Sequence, residues 1–382
     1  MKVIATTAAL EKFCAEAMTA RYVTVDTEFM RENTYYPKLC LLQIASADDA
    51  VLVDPLADGI DLAPVFALMA APQVLKVFHA ARQDIEIFVH LSGAVPAPIF
   101  DTQIAGMVCG FGDAISYDRL VKSVVGIEID KSSRFTDWAR RPLGDRQLTY
   151  ALSDVTHLRL VFEALEERLR ANGREPWLAD EMAVLTDPAT YVVAPEDAWR
   201  RLKLRNPKPR TLAVLRELAA LRENEARRRD LPRNRVLRDE VLTEIAASVP
   251  STPEELARAR SISDNVAKGK LGQGILEAVR RGANSDRNSW PRPPAATPPR
   301  RGREPVVELL RVLLKLKAEE HGVAQKLIAN MADLDLIADD DDADVPALSG
   351  WRREIFGDAA IALKHGGVAL TIRDGEIAPI TL

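Results

Sequence analysis

The hydrophobic period of this chain changes once, near Trp199, and that change limits the architectures open to it. Before it, β-branched and apolar runs alternate with helical stretches. The runs are Tyr22 to Phe29, Leu39 to Ala45 and Val51 to Asp54, and the short polar connections at 31–38 and 46–50 allow an antiparallel meander. A helical stretch at 62–69 and a buried-strand run from Leu75 to Phe78 come next. Helices then cover 81–91, 102–108 and, longest of all, about 146–171. This order predicts an α/β domain whose mixed sheet is flanked by helices. After Trp199 strand signals fade, and Leu212, Leu215, Leu218 and Leu221 recur at helical spacing, with Pro232, Pro250 and Pro253 as punctuation.

The domain boundaries follow from the same texture. Residues 1–205 read as the α/β domain, 206–283 as a small helical domain, 284–304 as a Pro-rich basic linker and 305–382 as a second small helical domain. That last block ends in a short β-like piece, Val368 to Ile372. The 382 residues accommodate this, since domains average about 150 residues. Cys14, Cys40 and Cys109 form no C-x-x-C pair, which suits a reducing compartment and gives no zinc site. Residues 1–10 read as the start of a folded domain rather than a signal peptide, and no run nears the ~18 apolar residues of a membrane span. A cytoplasmic protein with no membrane partner is expected.

Asp26 and Glu28 stand two apart in the first strand run, so both side chains leave one face while Val25, Thr27 and Phe29 leave the other. Two adjacent carboxylates repel and cost stability unless a cation neutralises them. Acids on solvent-facing strands are nevertheless common, and this pair alone decides nothing. Asp84 falls in the first turn of the helix after the buried strand, where the helix dipole favours an acid in any protein. Tyr150 and Asp154 are spaced i, i+4 and share a helical face. Weight comes from their order along the chain.

A D-x-E strand, a strand–helix step with an N-terminal Asp and a helix with Y-x-x-x-D resemble the three motifs of the DEDD exonuclease superfamily in its tyrosine form. The histidine form has His five residues before the last Asp, where this chain has Thr149. A longer match is similar to the ribonuclease D family: Val25 to Phe29, Thr34 to Pro37 and Leu41 to Ile44, then Lys131 to Leu143 leading to Gln147 and Tyr150. The resemblance spans roughly residues 20–165. It implies a ribonuclease H-like domain followed by two small all-α HRDC-type domains. It also implies a 3′→5′ exoribonuclease that hydrolyses phosphodiester bonds at RNA 3′ ends, releases 5′-mononucleotides and matures the 3′ ends of tRNA precursors. Two divalent cations, Mg²⁺ or Mn²⁺, would be its cofactors, as hard carboxylate donors suit these ions. By resemblance, Asp26 bridges both ions, and Glu28 and Asp154 hold the nucleophile-side ion. Asp84 then holds the second ion largely through water, and Tyr150 orients the attacking water.

The net charge of −5, taken as an average, argues against a polyanionic partner. Locally the balance reverses: between Arg200 and Glu240 fourteen Lys or Arg face six acids, a segment of +8. A basic helical face is the electrostatic footprint of phosphate binding. Leu218 to Glu225, Arg229 to Leu237, Leu242 to Ala246 and Pro253 to Leu256 resemble an HRDC domain, which implies nucleic-acid binding through Arg227, Arg228, Arg229 and Arg233. Ile262 departs from that pattern, standing where many such domains have Gly. Gly322 to Ala329 resembles a second HRDC-like domain.

Lys131, Arg134, Arg140 and Arg141 precede Tyr150 and read either as a phosphate-positioning loop or as solvated decoration. Phe29, Tyr35 and Tyr36 suit base stacking or simple packing, His79 reads as a packing residue, and Asp339 to Asp342 reads as a solvated acidic loop. RNA is the expected partner, tRNA precursors in particular, for a monomer with no protein partner. Two other functions stay open. One is a 3′→5′ DNA exonuclease, because nothing in these motifs reads a 2′-OH. The other is a non-catalytic RNA-binding scaffold, which the presence of all four acids and Tyr150 disfavours.

Overall fold

The structure, a computed structural model, describes residues 2–134, 136–204, 207–292 and 302–382. The proline-rich part of the expected linker, 293–301, lies outside the described residues. Among the described residues no helix is long and apolar enough to cross a membrane. Two compact units divide the chain, one assembled from 1–28, 40–187 and 298–382, the other from 29–39 and 188–297.

The first unit is built on six strands: β1 (Val3–Ile4), β2 (Tyr22–Met30), β3 (Lys38–Ala45), β4 (Ala50–Val53), β5 (Leu75–Phe78) and β6 (Ile99–Asp101). Their order in the sheet is β1-β4-β3-β2-β5-β6. Parallel pairs β1–β4, β2–β5 and β5–β6 combine with the antiparallel pair β3–β4, in which Gln43 stands opposite Leu52, so the sheet is mixed as expected. Residues Leu39 to Ala45 of β3 are buried without alternation, the mark of a strand covered on both faces. The edge strands β1 and β6 are two and three residues long, too short to leave a period in the sequence.

Helices α1 (Thr7–Ala17), α2 (Ala63–Ala70), α3 (Arg82–Ser92), α4 (Thr102–Val108), α5 (Tyr117–Val125), α6 (Asp145–Ala171) and α7 (Ala179–Thr186) complete this part. Ala151, Val155, Leu158, Phe162, Leu165 and Leu169 form the buried stripe of α6 at i, i+3/i+4 spacing. Phe162 on that stripe meets Tyr22 of β2, ring centroids 4.6 Å apart, which seats the helix on the sheet. Lys76 of β5 is fully buried. Its ammonium donates to the carbonyls of Ala71 and Val74, each at 2.8 Å, and to that of Ala97, and burial brings its pKa down to about 8.

The C-terminal residues form α14 (Arg303–His321) and the shorter helices after it, while α8 to α13 belong to the second unit below. α15 (Gln325–Ile328), α16 (Met331–Asp339), α17 (Gly350–Arg352), a π-helical turn Arg353–Gly357 and α18 (Asp358–Lys364) follow α14. The sequence suggested a self-contained domain here. Instead Leu310, Leu313, Ile337 and Phe356 join one core with Val108, Leu120, Val161 and Leu165. Helices as short as α15 and α17 enclose too little apolar volume to make a core unaided. Gly110 seals the joint: at φ +84° its added Cβ would stand 2.7 Å from the Gly322 carbonyl oxygen at the end of α14. The chain finishes in a hairpin of β7 (Val368–Arg373) and β8 (Glu376–Thr381). Only its first strand was legible, because Pro379 interrupts the second.

The second unit is helical: α8 (Pro209–Arg229), α9 (Arg233–Val236), α10 (Asp239–Ser248), α11 (Pro253–Leu256), α12 (Asp264–Lys268) and α13 (Lys270–Asn284). Its core gathers Leu215 and Leu218 of α8, Leu242 and Ile245 of α10, and Ile275 of α13. Residues 29–39 join it through Tyr35, whose hydroxyl donates to the buried Glu223 and accepts from Arg233 at 2.9 Å. Asp230 accepts the N–H groups of Tyr35 and Tyr36, both at 3.0 Å. A Cβ at Gly282 would stand 2.5 Å from Val214 Cα and 2.7 Å from the Ala213 carbonyl oxygen, so α13 and α8 cross backbone against backbone. Gly282→Ala is expected to destabilise the helical unit by about 1–3 kcal/mol. A lower urea midpoint would register this, and an unchanged midpoint would show that the crossing yields without strain.

Candidate active site

Alternation along β2 sends Thr24, Asp26 and Glu28 to one face. The Thr24 hydroxyl donates to the Val155 carbonyl at 2.8 Å, which ties α6 to that face beside Asp154. Tyr117 of α5 adds a second tie by donating its hydroxyl to the Asp154 carbonyl. Asp154 itself sits on the buried stripe of α6, 6% exposed, where the pattern would otherwise place an apolar residue. Carboxylate oxygens of Asp26, Glu28 and Asp154 thereby lie within 4.8 Å of one another.

Asp84 arrives from the step between β5 and α3. Asp101, the last residue of β6, accepts the N–H groups of Ala80 and Ala81 at 3.0 and 2.8 Å. This holds Ala80 in the left-handed region at φ 58°, a conformation costly for a residue with a Cβ. Thr27, on the opposite side of β2 from the two acids, donates its hydroxyl to the buried Asp84. Asp84 therefore stands beside the three clustered carboxylates rather than among them, yet close enough to feel the charge of Asp26.

Burial is the largest force on all four acids. It raises Asp26 to about 7 and, with the charges of Asp26, Asp154 and Asp84, raises Glu28 to about 10. Asp84 and Asp154 are pushed well above the usual carboxylate range, by burial first and then by Asp26. Groups coupled in this way cannot all ionise together without a compensating charge. Asp154 Oδ1 is buried with no hydrogen-bond partner among the described residues. An all-oxygen donor set, mutually repelling and with one oxygen unmatched, fits a hard divalent cation. Asp26, Glu28 and Asp154 would hold it, with Asp84 alongside. Tyr150 stands one turn before Asp154 and, as a polar neighbour, draws that carboxyl's pKa down. Burial and the charges of Asp154, Glu28 and Asp26 raise the Tyr150 pKa, so the phenol keeps its proton.

The basic residues divide. Arg134 is exposed, and its charge draws the pKa values of Glu28, Tyr150 and Asp154 downward, which places it near the acids. Lys131 pairs with Asp118 at 2.7 Å, and Arg140 is exposed. Arg141 grips Asp54 with two N–H groups at 2.8 and 2.7 Å and donates to the carbonyls of Cys40 and Trp138. In the helical unit, Arg227 and Arg233 surround Tyr35 and Glu223, Arg228 pairs with Glu225 at 2.7 Å, and Arg229 is exposed. Arg233 also lines a cleft with Arg31, Arg201 and Arg222. The Tyr35 ring lies 4.6 Å beneath Arg233 and meets Tyr36 edge-on, so packing occupies both. His79 packs, as expected, with Nδ1 3.0 Å from Thr102 Oγ1. Sequence reasoning missed Thr24, Thr27, Tyr117 and Asp101. The threonines carried a faint signal, as hydroxyls in an apolar strand run, and the other two carried none.

The family described as 3′-5′ exonuclease matches residues 1–170, and the HRDC domain family matches residues 211–279. Ribonuclease D of Nitrobacter hamburgensis is 54% identical over 100% of this chain and 99% of its own length. Ribonuclease D of Acidiphilium cryptum is 49% identical over 99% of this chain and 97% of its own. The crystal structure of Escherichia coli RNase D, described as an exoribonuclease involved in structured RNA processing, matches with a TM-score of 0.81 and 31% identity, covering 96% of this chain and 98% of that one. The chain belongs to the ribonuclease D family of 3′→5′ exoribonucleases.

Proposed function

We propose that the substrates of this exoribonuclease are tRNA precursors, shortened one nucleotide at a time to release 5′-mononucleotides, and that it works with two Mg²⁺ or Mn²⁺ ions as a cytoplasmic monomer. The convergence of Asp26, Glu28 and Asp154 beside Asp84, with Tyr150 one helical turn from Asp154, carries the reading. The Escherichia coli relative's part in structured RNA processing supports the substrate class. Three buried cysteines, none in a disulfide, support a reducing compartment.

When bound, the ions supply an activated water and charge relief at the leaving oxygen. Asp26, Glu28 and Asp154, with Asp84 beside them, would hold the ions. A protonated Tyr150 would donate toward Asp154 and leave its oxygen lone pairs to accept from the attacking water. Tyr150 would thus orient the water and need not itself be the base. Arg134 would meet a phosphate of the incoming strand.

Matched 3′-tailed RNA and DNA strands test the centre and the substrate together. Asp154→Asn is expected to cut RNA trimming by more than about a hundredfold. Undiminished trimming would remove Asp154 from the centre, and a preference for DNA would overturn the substrate assignment. Arg134→Ala is expected to raise KM for RNA about tenfold with little change in kcat, since one charged phosphate contact is lost. An unchanged KM would place Arg134 outside the RNA path.

The raised acids predict how stability depends on pH. Asp26 and Glu28 have folded-state pKa values of about 7 and 10, above ordinary carboxylates. Their contribution is therefore fully present below about pH 4 and is lost as pH rises through those values. Divalent ions replace the protons, so Mn²⁺ is expected to raise the melting temperature more at about pH 8 than at about pH 5.5. Asp154→Asn should shrink that rise. A rise independent of pH would show that the ion binds elsewhere.

A further inference from the structure

We propose that Trp138 is a positioning residue for catalysis: its indole walls in the Tyr150 phenol so that the hydroxyl is held toward Asp154. The idea rests on the role assigned to Tyr150 above. The Trp138 ring is 2% exposed and lies 6.3 Å from the Tyr150 ring, tilted by 31°. Its Nε1 is buried with no acceptor among the described residues. A phenylalanine would fill an apolar site without stranding a donor, so what the site uses is the breadth of the indole. Tyr150 lies in the second turn of α6, and without a wall its ring could turn to another staggered rotamer and carry the hydroxyl away from Asp154.

Trp138 is itself held. Arg141 donates to the Trp138 carbonyl at 2.7 Å and to the Cys40 carbonyl of β3 at 2.6 Å. Its forked grip on Asp54 fixes the guanidinium, a geometry that lysine cannot copy. Gln147 of α6 ties the segment that carries Trp138 to the helix: its Nε2 donates to Thr136 Oγ1 at 3.0 Å and its Oε1 accepts the Gly144 N–H at 2.9 Å. A line of contacts therefore runs from Asp54 through Arg141, Trp138 and Tyr150 to Asp154. Arg141, chosen from the sequence as an RNA contact, acts here as the anchor of that line.

A double-mutant cycle tests this on full-length protein, with 3′-tailed RNA at saturating Mn²⁺. Trp138→Leu is expected to lower kcat about tenfold with KM within about twofold of the parent, because a misplaced positioning group costs rate rather than binding. In the Tyr150→Phe background the same change is expected to cost less than about twofold, since there is no hydroxyl left to misplace. Arg141→Lys is expected to repeat the pattern and serves where the leucine variant does not fold. In fluorotyrosine-labelled protein without metal or RNA, the Tyr150 fluorine resonance, assigned by its loss in Tyr150→Phe, should shift or broaden in both variants. Equal losses of kcat in the two backgrounds, no loss in the parent, or an unmoved resonance would each overturn the proposal. If Tyr150→Phe alone costs nothing, the role of Tyr150 is what fails.

Discussion

Repulsion among carboxylates taken out of water is the constraint on which the rest of this molecule depends. Three carboxylates within 4.8 Å, with a fourth beside them, destabilise the fold that gathers them until a cation arrives. The surrounding structure answers by removing their freedom to part. Thr24 and Tyr117 fasten the Asp154 turn of α6 to the sheet, and Asp101 fastens the turn that delivers Asp84. Affinity for a divalent ion is the reverse side of that imposed proximity.

Charge has a second use in the helical unit, where it holds structure. Burial alone would raise the Glu223 pKa, but the Arg233 guanidinium, the Tyr35 hydroxyl and Arg227 outweigh it and hold the carboxyl below its usual range. A buried carboxylate with that many partners is strongly destabilised by losing any one of them. Several of the fourteen cations in this stretch are therefore engaged inside the fold, by acids already counted in its net +8. Arg229 remains exposed, as does Arg201 at the rim of the cleft.

What could be read in the sequence was whatever a local period carries. Asp26 and Glu28 share a face because strands repeat every two residues, and Tyr150 and Asp154 share one because helices repeat every three or four. The positioning bonds could not be read, because their partners meet only after folding. Thr24 reaches Val155 across 131 positions, and Arg141 reaches Asp54 across 87. Arg134 and Arg141 looked equivalent for the same reason: seven residues apart in one basic stretch, they differ only in what the tertiary structure sets beside them. The C-terminal helices were legible as helices, but their amphipathic pattern does not name the surface it will cover.

The interleaving of the two units bears on how the protein is made. Residues 310–356 complete a core whose other half, Val108 to Leu165, leaves the ribosome long before them. During synthesis the apolar faces of α4, α5 and α6 must wait, uncovered, while the helical unit is made. The helical unit, in turn, takes up 29–39 from a strand connection already made. Domains made of one continuous stretch fold as they emerge, whereas this catalytic unit cannot close its core until residues 310–356 have been made. A chain released before residue 310 would carry all four acids and leave the apolar faces of α4, α5 and α6 without their C-terminal cover.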